Sequence, residues 1–121
     1  MKHSRPVYLD LLRIRQPLPA MISLLHRISG VLLFLAIPFL LTTLQESLAS
    51  PERFATLQQS SGFKLALFFL CAAYGYHFFA GLRFLLLDLH WGTALKSARL
   101  TAWAVLGASL LSLLLLGAWL W

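Results

Sequence analysis

The chain has 121 residues, 60% of them hydrophobic and 12% charged, with a mean hydropathy of +0.79. A water-soluble domain of this size would have too little polar surface to cover itself, which excludes a soluble enzyme or binding module. The net charge of +6 is not a nucleic-acid footprint, because the basic residues flank apolar runs as a topogenic signal does.

Residues 1–20 read as a polar segment. Pro6, Pro17 and Pro19 argue against a continuous helix there. The stretch Arg5-Pro6-Val7-Tyr8-Leu9-Asp10-Leu11-Leu12 suits a headgroup layer or a soluble docking partner. A secretory signal is not expected, because the apolar run starts only at Met21, is too long, and lacks a small-x-small cleavage pattern after it.

Three apolar runs follow, roughly Met21–Leu44, Phe63–Leu87 and Leu100–Trp121. Each reaches the roughly 20 residues that cross about 30 Å of hydrocarbon as helix. The runs are continuous, not alternating, so a barrel is excluded. The expected fold is all-α, a three-span transmembrane helical bundle over residues 21–121. Lys2, Arg5, Arg13 and Arg15 precede the first span, and Lys96 and Arg99 sit in the second loop. The positive-inside rule therefore predicts a cytoplasmic N-terminus and second loop.

The first span carries Ser23-Leu24-Leu25-His26-Arg27-Ile28-Ser29-Gly30. Ser23 and Arg27 are spaced i, i+4 and share a face, with His26 on an adjacent one. Arg27 alone reads as an arginine snorkelling to headgroups. Beside two serines, a histidine and a glycine, it reads as part of a polar cluster facing protein or a ligand. Pro38 predicts a kink, or thinning near the far side of the bilayer. The loop 45–62 holds Ser50-Pro51-Glu52, a helix start.

In the second span His77 falls close to the midplane. Tyr74, His77, Gly81 and Phe84 or Leu85 form one stripe. An interhelical hydrogen bond is the plain reading of His77, and helix packing that of Gly81. Metal ligation through a neutral imidazole is the sharper reading of His77. Cys71 is the sole cysteine and reads as a small buried apolar residue. The second loop holds His90 and an interfacial anchor, Trp91. The third span is aliphatic, ends in Trp119 and Trp121, and shows no chemistry.

Counted from the ends of the apolar runs, His26 lies about five residues deep and His77 about eleven, a difference on the order of 9 Å. A same-chain pair of axial ligands to one haem is therefore not expected, and a second ligand should come from another polypeptide. His26, Arg27 and Arg83 sit nearer the cytoplasmic side, at the level of propionates or headgroups. An arginine fork there pairs with carboxylates.

Arg5-Pro6-x-Tyr8-Leu9-Asp10, Ser23-x-x-His26-Arg27-x-Ser29-Gly30 and His77-x-x-x-Gly81-x-Arg83-x-x-x-x-Asp88, in this order, resemble the cytochrome b556 membrane-anchor subunits of succinate dehydrogenase (respiratory complex II). The resemblance covers nearly the whole chain. It implies one of two small anchors holding a flavoprotein subunit and an iron–sulfur subunit at the bilayer, in a bacterial inner membrane in preference to a mitochondrial one. It implies that His77 is an axial ligand of haem b, with the other ligand from the second anchor subunit. It further implies that Ser23 and Arg27 bind ubiquinone, and that His26 and Arg83 lie in the vicinity of the haem propionates or the quinone. In one departure, Phe84 stands where some relatives carry a second histidine. The chain itself has no flavin fingerprint and no cysteine set for a cluster, so it contributes at most one wall of a quinone site. Three alternatives remain open: a fumarate reductase-type anchor, a haem-free anchor in which His77 only packs, and a small proton- or ion-path or assembly subunit.

Overall fold

A computed structural model describes residues 14–120. The Arg5–Leu12 stretch lies outside the described residues. Five helices follow in order: α1 (Leu18–Leu35), α2 (Ile37–Ala49), α3 (Pro51–Gln59), α4 (Ser61–Asp88) and α5 (Leu95–Leu120). Helices α1, α4 and α5 are each long and apolar enough to cross a membrane. The fold is the all-helical three-span bundle expected from hydropathy, with α4 packed between α1 and α5.

The helix ends follow from local chemistry, and some fall earlier than the apolar runs. Helix α1 starts at Leu18, with Pro17 as N-cap. Pro19 is already helical, because a proline in the first turn lacks an N–H that no carbonyl there would have received. The expectation of irregular chain up to Ala20 is corrected on this point. The kink expected from Pro38 is a full break: α1 stops at Leu35 and α2 resumes at Ile37 across Ala36. Pro38 has no N–H for the Phe34 carbonyl, and the Leu40 N–H bonds Ala36 beyond it at 2.9 Å.

Ser50 caps α3, accepting from the Arg53 N–H at 3.2 Å, so Ser50-Pro51-Glu52 does start a helix. The Ser50 hydroxyl also holds the Glu52 carboxyl below the usual range. Ser60 caps α4 in the same way, accepting from the Phe63 N–H. At the other end of α4, the Trp91 N–H reaches the Leu86 carbonyl at 3.0 Å and the His90 N–H reaches Leu87 at 2.9 Å. This is a Schellman cap whose left-handed position, usually a glycine, is His90 at φ 62°. Helix α5 opens at Leu95, so Lys96 and Arg99 belong to its first turns and not to the connecting loop.

Only Ile22, Ala80, Ala102 and Val105 are buried hydrophobics among the described residues, while Phe34, Leu100 and Trp119 are more than 70% exposed. In water this surface would aggregate. In lipid it is the solvated face, and helices associate through small residues and polar contacts instead. The contacts match that rule. Gly75 of α4 leaves room for Ser112 of α5, and Gly117 faces Phe68. Trp91 beyond α4 and Trp119 at the far end of α5 are both exposed, which fits aromatic belts at the two interfaces.

Candidate functional site between helices α1 and α4

Helix α1 divides its surface by helical spacing. Ile22 and Ser29 are buried against α4, seven residues apart on one face, with His26 between them. Ser23 and Arg27 fall on the flank. Ser23 is half-buried and Arg27 exposed. Pairing Ser23 with Arg27 on one face and His26 on the next is therefore what the structure shows. No hydrogen bond joins either flank residue to another described residue. Arg27 rims a shallow apolar groove with Ile28, Val31 and Leu32, of about 260 Å³.

On the packed face, His26 and His77 meet. Their imidazoles stack with centroids 4.1 Å apart and planes 10° from parallel. The expected depth offset of about 9 Å is thus corrected. The earlier start of α1 accounts for about half of it. His26 lies eight residues beyond the true helix start at Leu18, and His77 eleven short of the helix end at Asp88. That leaves about 4.5 Å of rise, which helix tilt and side-chain reach close.

Two glycines make the stack possible. A Cβ on Gly30 would stand 3.0 Å from His77 Cε1, and one on Gly81 would stand 3.3 Å from His26 Nε2. The space that Gly81 opens is filled by the His26 ring of the neighbouring helix. The Phe84 ring lies 5.1 Å from His26 and closes this side. Tyr76 adds a fixed point, donating to the Ile22 carbonyl at 3.0 Å.

The His77 ring is also fixed by its polar edge. Its Nδ1 lies 3.2 Å from the His26 carbonyl oxygen and 3.1 Å from Ser29 Oγ. Ser29 in turn donates to that same carbonyl at 2.9 Å. This triangle is consistent with one tautomer. A carbonyl can only accept, so a bare Nδ1 facing it would set two lone pairs against each other. Nδ1 therefore carries the proton, and the Nε2 lone pair is free of hydrogen bonds to described residues. A histidine so held is in the form that ligates a metal, with its other nitrogen donating to backbone.

Arg83 takes a different direction from His26. Only 4% exposed, it donates from Nε to Thr101 Oγ1 at 3.1 Å and from Nη2 to the Ala98 carbonyl at 3.2 Å. Its Cζ lies 5.5 Å over the Phe84 ring. One aromatic ring thus separates Arg83 from His26. The third span, in which sequence showed no chemistry, supplies the acceptors for this charge. The one signal available was Thr101, a hydroxyl in an aliphatic span, which can hold a cation where a partner helix brings one. Sequence reasoning also missed Tyr76, whose hydroxyl does its work across the α1–α4 interface. Ser29 was visible in the polar cluster but not as a partner of His77.

The fold and this site define a class: a three-span membrane subunit with an imidazole pair enclosed between two of its helices. Residues 1–116 match the family model described as succinate dehydrogenase/fumarate reductase transmembrane subunit. Over its full length the chain is 37% identical to the succinate dehydrogenase cytochrome b556 subunit of Coxiella burnetii, all of which is covered. It is 32% identical to the cytochrome b560 subunit of Reclinomonas americana, over 99% of this chain and 88% of that one. The b556 subunit of Rickettsia typhi is 28% identical over 94% of this chain and 91% of its own. The chain belongs to the succinate dehydrogenase cytochrome b membrane-subunit family.

Proposed function

We propose that this chain is a haem b-carrying anchor of a succinate:ubiquinone oxidoreductase in the bacterial inner membrane, with its N-terminus cytoplasmic. The observation that carries this reading is His77, with Nδ1 tied to the His26 carbonyl and Ser29 and Nε2 without a hydrogen bond to any described residue. The donor set fits a haem iron, for which a neutral imidazole is a common axial ligand. The names of the relatives, cytochromes b556 and b560, support the same assignment. When bound, the haem supplies a one-electron redox centre inside the membrane. The protein holds its ligand, fixes the tautomer and excludes water.

His26 is not the second ligand on this reading. An imidazole would hold a metal through the nitrogen lone pair that lies in the plane of its ring. Two rings stacked face to face at 4.1 Å do not share such a plane. A second anchor subunit provides the other ligand, and an iron–sulfur and a flavoprotein subunit complete the complex.

Ser23 and Arg27 form this chain's wall of the quinone site. Both point off the packed face, Arg27 is exposed nine residues into α1, and an arginine that far along a span with no partner among the described residues needs one. The Ser23 hydroxyl donates to a quinone oxygen, and Arg27 stabilises negative charge that develops there on reduction. The Ile28–Val31–Leu32 groove offers apolar surface beside it. His26 contributes from the propionate side of the ligand. Arg83 contributes positive potential from behind Phe84, its donors being engaged with α5.

The test is the reduced-minus-oxidised optical spectrum of the purified complex. His77→Leu removes the b-type band while the subunits co-purify. A band of unchanged size and position would refute ligation by His77. For the quinone wall, Ser23→Ala and Arg27→Leu lower quinone reduction and spare succinate oxidation by an artificial acceptor. Equal loss of both activities would place these residues in assembly instead.

A further inference from the structure

We infer that Ser29 is a positioning residue for the haem ligand, orienting the His77 imidazole and setting how strongly it donates to iron. The inference rests on ligation by His77 and goes beyond it, because it assigns the ligand's second nitrogen a partner.

Acceptor capacity decides which group holds the Nδ1 proton. The Nδ1–H has two acceptors within reach, the His26 carbonyl at 3.2 Å and Ser29 Oγ at 3.1 Å. The carbonyl is oversubscribed. It lies in mid-helix, where it serves the α1 ladder, and it also receives the Ser29 hydroxyl at 2.9 Å. A carbonyl oxygen has two lone pairs, so three donors leave each bond weak, and the contact to Nδ1 is at the long end of the N–H···O range. Ser29 Oγ has spent its one proton on that carbonyl. Its lone pairs remain, and the geometry turns them toward Nδ1. At 6% exposure it competes with no bulk water.

Ser29 does this from just under one turn beyond His26 on α1. It is three residues beyond His26 on the same face, and Gly30 beside it admits the His77 ring to contact. The Ser29 hydroxyl, the His26 carbonyl and the Gly30 backbone border the His77 imidazole on its Nδ1 and Cε1 edge. Removing an acceptor from the far nitrogen of a metal-bound histidine lowers the basicity of the bound nitrogen and loosens the ring. The ferric ion depends on ligand donation more than the ferrous ion does. Loss of Ser29 therefore weakens ferric binding more and raises the haem potential.

The experiment uses the assembled complex with Ser29→Ala and Ser29→Thr, His77→Leu serving as the reference for ligation. Subunit composition on purification reports assembly. The readouts are haem content and the midpoint potential from a redox titration of the b-type band. Ser29→Ala is expected to lower haem affinity on the order of 10-fold. If that loss falls on the ferric form, the potential rises by about 59 mV, the one-electron equivalent of tenfold. Ser29→Thr, which keeps the hydroxyl, restores both. Two results overturn the proposal: a Ser29→Ala complex with unchanged potential and haem content, or a Thr variant that behaves like the Ala variant. If His77→Leu keeps its band, the ligation reading fails, which is distinguishable from failure of the Ser29 role alone.

Discussion

Replacing Gly30 by alanine adds one methyl group where the His77 ring already stands. The new Cβ would lie 3.0 Å from Cε1 and 3.6 Å from Nδ1, whereas carbon atoms attract best at about 3.5–4.0 Å. The ring must give by a few tenths of an ångström. It cannot do so freely, because His26 stacks on it at 4.1 Å and is itself close to Gly81. The two bonds to Nδ1, at 3.1 and 3.2 Å, then lengthen past the usual N–H···O distances and weaken. Overpacking of this kind costs about 1–3 kcal/mol, and the helix gains about 0.5–1 kcal/mol from losing a glycine. The net, about 1 kcal/mol against the ligating geometry at the middle of these ranges, is a factor of about 5 in an equilibrium. Haem content per complex, measured optically after purification in dilute detergent, should fall accordingly. Gly107 provides the control, since a Cβ there meets nothing within 4 Å and Gly107→Ala should keep its haem. A Gly30→Ala complex with full haem and an unshifted band would refute the packing argument.

Arg83→Ala removes the two bonds to Thr101 and Ala98 and the packing of a buried side chain. Destabilisation of about 2 kcal/mol or more is expected, read as a lower temperature for loss of the anchor from the complex; an unchanged temperature would show that the α4–α5 clamp is dispensable. Tyr76→Phe deletes one interhelical bond to Ile22 and should cost about 0.5–1.5 kcal/mol in the same assay while the haem band stays in place. His90→Gly relieves a left-handed φ of 62° and should raise that temperature, the gain being of order 1 kcal/mol.

The bundle itself was legible because hydropathy reports lipid exposure directly, and the break before Pro38 because a missing N–H acts locally. Helix starts were less so. Pro17 and Pro19 look like breakers in sequence, yet one is the N-cap and the other lies in the first turn. That displacement of three residues, together with tilt, produced the misplaced depth of His26 relative to His77. The site was legible as a set of residue types, since an imidazole or guanidinium inside a span is costly and noticeable. Its wiring was not. Whether Ser29 meets His77, or Arg83 turns to Thr101 and not toward His26, depends on the rotation of one helix against another. Sequence periodicity fixes which residues share a face, and leaves open which face meets which.

The central claim is that His77 is this chain's single haem ligand and that His26, though stacked on it, is not the other. Low-temperature electron paramagnetic resonance of the oxidised His26→Leu complex tests it most directly. A six-coordinate, low-spin ferric signal is predicted to persist, because the second ligand belongs to the other anchor. Conversion to a five-coordinate, high-spin signal in that variant would contradict the account.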